Sequence, residues 1–315
     1  MRRVGLARPH PATKLQAMSS TPFDLQSHAD YKRWRQHKIA SHPRSVHDRI
    51  VDVADPRALT EVELVGLQQR CAVANMAIYS SPLRSADKNI PRQLGQQLGL
   101  HRLDANWLAD EDGISQVAVT TTEGGRGAFI PYTDRPIKWH TDGYYHGGSR
   151  RIHAMILHCV RAASEGGENA VMDPEMAYIA IRDANPDWVR ALMAPDAMTI
   201  PERLDDDGVA RSAQTGPVFS VDQDSGALHM RYTARTRSIE WKDDAMTRAA
   251  VEFLTQLLGC GGPHVFRFRL EPGMGLVCNN VLHDRSGFVD DPRQPRLLYR
   301  ARYLDRIRTE LAIHT

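Results

Sequence analysis

The sequence predicts an α+β protein whose core is mainly β, with its strands closed into a barrel or packed as a sandwich. Two observations support this class. Short runs typical of strands follow one another from Val117 onward, with turns between them. Helical segments flank or interrupt these runs without alternating regularly with them, so a doubly wound parallel sheet is not expected. A jelly roll is the natural architecture for this pattern.

Five segments carry helix signals: a basic stretch, a capping box, first-turn prolines and acidic caps. The predicted helices begin near Tyr31, Thr60, Pro91, Asp173, and Asp243 or Asp244. The first is expected to be amphipathic, with a solvated basic face over Tyr31–Lys38. The polar segment Pro201–Gly216 is expected to be a surface loop or lid.

Five apolar runs bounded by turn residues predict strands. Alternation within the fourth run places Phe266 and Phe268 on one face, as in a half-buried strand. In chain order the runs are Met76–Tyr79, Ile152–Val160, Glu168–Met172, His264–Leu270 and Leu276–Cys278.

With 315 residues, 42% of them hydrophobic, the chain can bury a substantial core. We expect residues 1–30 to form a disordered tail and residues 31–315 a single domain. The tail starts with the basic stretch Met1–Arg8, which lacks the apolar segment of a secretory signal. A transit peptide and a start at Met18 stay open as alternatives.

The formal net charge of +2 indicates neither nucleic acid nor a membrane surface as a partner. No apolar run is long enough to span a bilayer. The four cysteines are scattered, which argues against a zinc ribbon or a disulfide framework and fits a cytoplasmic location. They are Cys71, Cys159, Cys260 and Cys278. Whether the chain forms a homo-oligomer stays open.

The most informative motif is His140-Thr141-Asp142, taken together with His283 far downstream. Alternate residues of a strand share a face, so His140 and Asp142 can point into a barrel together. Two imidazoles and one carboxylate are the ligand set that binds non-haem Fe(II) and leaves coordination positions open for O₂ and a co-substrate.

A strand rich in arginine follows His283. The period of a strand places Arg296, Leu298, Arg300 and Arg302 on one face. Burying guanidinium groups is costly unless anions meet them, and arginine binds carboxylates with two parallel hydrogen bonds. We therefore favour a site for an anionic co-substrate over an edge strand with solvated arginines.

Four motifs resemble the TauD/TfdA family of Fe(II)- and 2-oxoglutarate-dependent dioxygenases in order and spacing. They are Trp139–Gly143, Glu165–Glu168, Asn280–His283 and Arg296–Arg300. The resemblance implies a double-stranded β-helix (a jelly roll like that of clavaminate synthase) with flanking and inserted helices. It also implies iron bound by His140, Asp142 and His283, with 2-oxoglutarate chelating the metal.

The resemblance also suggests roles for three further residues. Arg296 looks like the family arginine that binds the distal carboxylate of 2-oxoglutarate. Arg300 matches a position that in some members meets an anionic group of the primary substrate. The family commonly has threonine after the Gly-Gly-acid turn, where this chain has Asn169; its amide can donate a hydrogen bond, so Asn169 is kept as a co-substrate contact.

The reaction implied is hydroxylation of an unactivated C–H bond with O₂, while 2-oxoglutarate becomes succinate and CO₂. The presence of Asp142 argues against the halogenase variant, whereas desaturation and cyclisation stay open. The expected substrate is a small anionic or zwitterionic metabolite.

Five further residues are candidates for contacting that substrate or supporting the metal ligands. Tyr144, Tyr145 and His146 directly follow the metal pair, and Asp284 and Arg285 adjoin His283. Rim packing is the alternative interpretation of the first three.

Three other functions are weighed against the dioxygenase. A cupin-like protein would bind metal without 2-oxoglutarate chemistry. A zinc-type hydrolase would use the same three ligands with a bound water, but it leaves Arg296 and Arg300 unexplained. A binding module recruited through the basic N-terminal stretch would make the order of the motifs a coincidence.

Overall fold

The helices and strands come from a computed structural model that describes residues 21–104, 110–120, 127, 129–205, 208–223, 225–235 and 239–308. In chain order they are α1 (His28–Ser41), β1 (Ile50–Asp52), α2 (Glu61–Ala74), β2 (Met76–Ser80), α3 (Asn89–Gln97), β3 (Ile114–Val117), β4 (Ile137–His140), β5 (Ala154–Arg161), β6 (Glu165–Gly166), β7 (Asn169–Met172), α4 (Pro174–Ala184), α5 (Pro186–Leu192), β8 (Met198–Ile200), β9 (Arg203–Asp205), β10 (Gly208–Arg211), β11 (Gln214–Gly216), β12 (Phe219–Val221), β13 (Leu228–Met230), β14 (Glu240–Trp241), α6 (Ala245–Gly259), β15 (Val265–Phe268), β16 (Met274–Cys278), β17 (Leu282–Arg285), β18 (Phe288–Val289) and β19 (Leu297–Tyr303).

Two sheets form the centre of the fold. The larger has the strand order β1-β2-β16-β5-β19-β3, and the smaller has the order β15-β7-β17-β4. Apart from the parallel pair β1 and β2, neighbouring strands in both sheets are antiparallel. Neighbours in space are mostly distant in sequence, as in a jelly roll. The prediction of a double-stranded β-helix is confirmed.

The strand period sorts apolar side chains between the two faces of the larger sheet. Met155 and Leu157 of β5 point inward, where they share a buried cluster with Val171 and Phe266 of the smaller sheet. The intervening Ile156 belongs to a second cluster on the outer face of the larger sheet. The core is therefore a layer of side chains between two sheets, as in other sandwiches.

Helices cover the two outer faces of this sandwich. Residues of α2 and α3 pack on the larger sheet, and residues of α1, α4, α5 and α6 pack on the smaller one. The predicted capping box forms at α2, where Thr60 and Glu63 each accept from the other's backbone N–H. Asp173 caps α4 and Asp244 caps α6, as predicted, while α3 begins two residues before Pro91.

Two expectations for the N-terminal part were wrong. Lys38 of α1 is buried, not solvated, and its Nζ lies 2.7 Å from Asp173 and also pairs with Glu175. Those carboxylates offset the cost of burying the ammonium. Phe23, assigned to the tail, is 5% exposed within the core cluster of α1 and α4. Packed structure thus begins no later than Thr21, and disorder of residues 1–20, which lie outside the described ranges, stays a prediction.

The segment Pro201–Gly216 is not simply a loop. It contains the hairpin of β9 and β10, and β11 pairs with β8. Strand ladders use backbone groups and do not require apolar side chains, so polarity alone did not indicate strands here. Within the described ranges, none of the helices combines the length and the apolar character that crossing a membrane requires. The four cysteines are free thiols.

Candidate active site

The smaller sheet brings together the three residues predicted to bind metal. His140 ends β4 and is paired in register with His283 of the adjacent strand β17. Their ring centroids are 4.2 Å apart. Asp142 follows two residues after His140, and the ligand atoms of the three residues lie within 4.8 Å of one another. All three side chains are buried.

Backbone carbonyls orient both imidazoles. Nδ1 of His140 lies 2.9 Å from the carbonyl oxygen of Lys138, and Nδ1 of His283 lies 2.9 Å from that of Val281. Because a carbonyl can only accept, each Nδ1 carries the hydrogen and each Nε2 keeps a lone pair for a metal. Burial and, to a smaller extent, the neighbouring His283 lower the pKa of His140 to about 3. His140 is therefore neutral at neutral pH, as a metal ligand must be.

Asp142 is held in its charged form. Burial raises the pKa of its carboxyl group, but the positive charges of Arg300 and Arg302 outweigh burial, and the pKa is lowered. Oδ2 of Asp142 is buried without a hydrogen-bond partner in the described part of the chain. A buried, unpaired carboxylate oxygen is costly, and a divalent cation would offset that cost. The donor set thus fits Fe(II).

Asn280, which opens the motif that ends in His283 but had no predicted role, holds Asp142 in place. Its side-chain oxygen accepts from the backbone N–H of Asp142 at 2.7 Å. Its amide nitrogen donates to the carbonyl oxygens of Asp142 at 2.9 Å and Ile152 at 2.7 Å. The next residue, Gly143, has φ +66°, and a Cβ there would lie 2.4 Å from Cγ1 of Ile152. This turn therefore requires glycine.

Two cavities adjoin the triad, one in front of it and one behind it. The second cavity, behind the triad, extends between the two sheets. Arg296 and Asn169 line it together with His140 and His283. Burial lowers the pKa of Arg296, whose guanidinium carbon lies 5.0 Å from the ring centroid of Phe288. Nδ2 of Asn169 is buried and has no hydrogen-bond partner among the described residues. This end of the cavity thus presents hydrogen-bond donors suited to a carboxylate.

Comparison with known families decides what kind of site this is. The model of the family described as "Taurine catabolism dioxygenase TauD, TfdA family" matches residues 92–302, more than half of the chain. The chain belongs to this family. The description of the family favours a dioxygenase over the cupin-like protein, the zinc hydrolase and the binding module.

Two curated relatives share the name uridine-5'-phosphate dioxygenase. The one from Amycolatopsis sp. is 35% identical over 177 residues, which cover 53% of this chain and 60% of the relative. The one from Streptomyces sp. is 28% identical over 194 residues, covering 59% of this chain and 68% of the relative. The chain thus spans less than two thirds of the length of the first of them.

Two solved structures share the fold. An asparagine oxygenase in complex with Fe(II), 3-hydroxyasparagine and succinate superposes with a TM-score of 0.56 at 15% identity, covering 77% of this chain and 78% of that one. The non-haem iron oxygenase OrfP in complex with Fe and α-ketoglutaric acid gives a TM-score of 0.57 at 14% identity, covering 78% and 80%. At these identities the likeness establishes the fold.

In front of the triad lies a cavity of about 300 Å³. Of the residues predicted for the substrate side, Tyr144, Tyr145 and Arg300 line it, together with His140 and Asp142. Eight further residues line the cavity and had no predicted role. Among them are Phe129, Lys138, Arg235 and Arg302. Lys138 and Arg302 each lie two residues from His140 or Arg300, so the period of a strand could have indicated them. No sequence signal pointed to Phe129 or Arg235.

Arg302 and Asp104 brace one wall of this cavity. Arg302 donates to the hydroxyl of Tyr145 at 2.9 Å and to the carboxylate of Asp104 at 2.5 Å. Burial raises the pKa of Asp104, but His146, Arg302 and Arg150 outweigh burial and lower it to about 2. His146 packs behind Tyr145, with ring centroids 4.5 Å apart, and is not a lining residue. Arg302 is therefore neutralised and positions Tyr145.

Asp284 and Arg285 line the second cavity, but their side chains form hydrogen bonds with backbone groups. Asp284 accepts from the N–H of Ala170 at 2.9 Å, and burial raises its pKa. Arg285 donates to the carbonyl oxygen of Thr133 at 2.8 Å and also to that of Arg135. Both side chains thus tie β17 to neighbouring segments.

Proposed function

We propose that this protein is an Fe(II)- and 2-oxoglutarate-dependent dioxygenase that hydroxylates an unactivated C–H bond of a small anionic metabolite, with a nucleoside 5'-phosphate as the first candidate. In this proposal His140, Asp142 and His283 bind the iron, and Arg296 and Asn169 hold the distal carboxylate of 2-oxoglutarate. When bound, iron and 2-oxoglutarate supply the oxidation by O₂ that releases succinate and CO₂.

The charge of the substrate-side cavity carries this proposal. Among the described residues its lining includes four cationic side chains and one carboxylate, that of Asp142. A metal would occupy Asp142, which leaves no acidic group for the ammonium of a zwitterion. An anionic substrate is therefore favoured over a zwitterionic one. The names of the two curated relatives point in the same direction.

The aromatic side chains of the same cavity favour a substrate with a flat ring. Tyr144 and Tyr145 pack edge to face with ring centroids 5.3 Å apart, and both line the cavity. Aromatic faces stack well on nucleobases. A substrate that combines a base with a phosphate would meet both the aromatic wall and the cations.

The residues around the second cavity would orient 2-oxoglutarate and keep water away from it. Arg296 and Asn169 provide donors at one end, and His140 and His283 stand at the other. Between them lie the apolar side chains of Met155, Leu157 and Leu298. An apolar wall strengthens the charge-assisted bonds at the arginine end by excluding water.

Anaerobic optical titration of the Fe(II)-loaded protein with 2-oxoglutarate tests the cofactor part of the proposal. Wild type should develop a weak visible metal-to-ligand band, and Arg296→Ala should require far more 2-oxoglutarate to reach it. Absence of the band at every 2-oxoglutarate concentration in wild type would contradict the proposed chelation.

Succinate formation tests the substrate part. Uridine 5'-phosphate and other nucleoside 5'-phosphates should stimulate it, and uridine without the phosphate should stimulate it much less. Stimulation by free amino acids and none by nucleotides would overturn the anionic assignment.

A further inference from the structure

Two cations face each other at the substrate-side cavity. β4 continues its pairing into the segment 232–234, where Thr141 donates to the carbonyl oxygen of Tyr232 at 3.0 Å and Ala234 donates to that of Trp139 at 2.8 Å. His140 and Thr233 form an antiparallel bridge between these two bonds. Two residue pairs beyond this bridge, the same register places Lys138 opposite Arg235.

Both side chains belong to the cavity and both are exposed, so they stand at its open side. Lys138 lies two residues before His140 and shares its face of β4. Arg235 donates to the hydroxyl of Tyr144 at 3.5 Å, which keeps it beside the aromatic wall.

Nothing in the described part of the chain neutralises this pair. The ion pairs there include neither Lys138 nor Arg235, whereas Arg302 has Asp104 and Arg300 lies 3.8 Å from Asp142. Like charges directly opposite each other on paired strands are destabilising. An anion between Lys138 and Arg235 would therefore be attracted by both and would relieve their mutual repulsion.

We propose that Lys138 and Arg235 form an anion subsite at the mouth of the cavity and that it binds the phosphate monoester of the substrate. A phosphate monoester carries a charge of about −1.5 to −2 at neutral pH and three acceptor oxygens, so it can satisfy both cations at once. The assignment of this subsite to the phosphate of the substrate rests on the proposed function.

The spacing of the strand sets the reach of the substrate. Lys138 and His140 are separated by roughly 7 Å along β4, at about 3.3 Å per residue. The bond that is oxidised therefore lies only a few atoms from the phosphate. Arg300 lies deeper in the cavity, 3.8 Å from Asp142, and is not assigned to the phosphate.

Binding of inorganic phosphate to the Fe(II)- and 2-oxoglutarate-loaded protein, measured anaerobically by calorimetry, tests the subsite without turnover. Lys138→Gln and Arg235→Gln should each weaken phosphate binding about ten-fold, since each removes a charged hydrogen-bond donor. The double variant should weaken it further. Arg135→Gln is the matched control, because Arg135 is exposed just before β4 and does not line the cavity.

A stability measurement separates an anion subsite from a structural role. Without phosphate the double variant should unfold at the same temperature as wild type or higher, because like-charge repulsion is relieved. With phosphate, wild type should be stabilised and the double variant should not. The affinity for 2-oxoglutarate should be the same in wild type and in all four variants.

The outcomes distinguish this inference from the proposed function. If wild type binds no phosphate, or if the double variant binds it as wild type does, the subsite is overturned. If phosphate binding depends on the pair but nucleotides do not stimulate succinate formation, the subsite stands and the nucleotide assignment fails. If nucleotides are oxidised with an unchanged KM in the double variant, the subsite fails and the proposed function stands.

Discussion

The side chain of Asn280 holds the backbone of Asp142 from both sides. It accepts from the N–H of Asp142 at 2.7 Å and donates to its carbonyl oxygen at 2.9 Å. Asn280 itself sits in the left-handed region, with φ 50°. The segment that ends in His283 thus positions the carboxylate that follows His140, so the two ligand-bearing segments are coupled before any metal binds.

Replacing Asn280 with glycine should remove its side-chain hydrogen bonds without adding backbone strain. Asn280→Gly keeps the left-handed conformation accessible and removes three hydrogen bonds, so we expect unfolding free energy to fall by about 3 kcal/mol. Fe(II) affinity should fall as well, because Asp142 is no longer held. Urea unfolding and anaerobic metal titration check the two effects. An unchanged metal affinity would show that the hydrogen bonds between Asn280 and Asp142 stabilise the fold only.

Asn169 should matter for 2-oxoglutarate and not for the primary substrate. Asn169→Ala removes a buried donor from the proposed carboxylate site, and we expect the KM for 2-oxoglutarate to rise about ten-fold. Asn169→Thr restores a hydroxyl donor and should recover much of the affinity. Succinate formation against 2-oxoglutarate concentration measures this, and equal KM values for the two variants would contradict the proposed contact.

Lys38 should contribute strongly to stability, because its buried ammonium pairs with the buried carboxylate of Asp173. Lys38→Met leaves the fully buried Asp173 without its cation, so we expect a loss of about 3 kcal/mol in unfolding free energy. Lys32→Met, at an exposed position of the same helix, is the control and should change stability by less than about 0.5 kcal/mol. Similar losses in both variants would argue against a buried ion pair.

His158 should make stability depend on pH below neutrality. Burial lowers its pKa from 6.5 to about 4 in the folded protein. Between these values the unfolded chain binds a proton that the folded chain does not, so stability falls as pH decreases from 6.5 and is fully retained above it. Nδ1 of His158 lies 2.8 Å from the hydroxyl of Tyr79.

Gln in place of His158 keeps a polar partner for Tyr79 and does not titrate. We expect His158→Gln to unfold with a shallower pH dependence between pH 6.5 and 4, by up to about 1.4 kcal/mol per pH unit. Urea unfolding of the metal-free proteins across this range provides the measurement. Parallel curves would show that His158 takes up no proton on unfolding.

Much of the fold and part of the candidate site could be predicted from the sequence because the signals are local. The caps at Thr60, Asp173 and Asp244 depend on residues within one helical turn. The shared face of His140 and Asp142 depends on the two-residue period of a strand. The pattern of short strands and turns predicted a jelly roll, and the order of the His140, His283 and Arg296 motifs predicted the family.

Tertiary structure alone decided which distant partners these residues meet. The burial of Lys38 against Asp173, the clasp of Asn280 on Asp142 and the position of Arg235 opposite Lys138 all depend on strand register and helix docking. Local patterns do not encode them, since a one-residue shift in register would change every cross-strand neighbour. The sequence by itself therefore determined the chemistry that is available, and the packing of sheets and helices determined which charges are paired and which are left for a ligand.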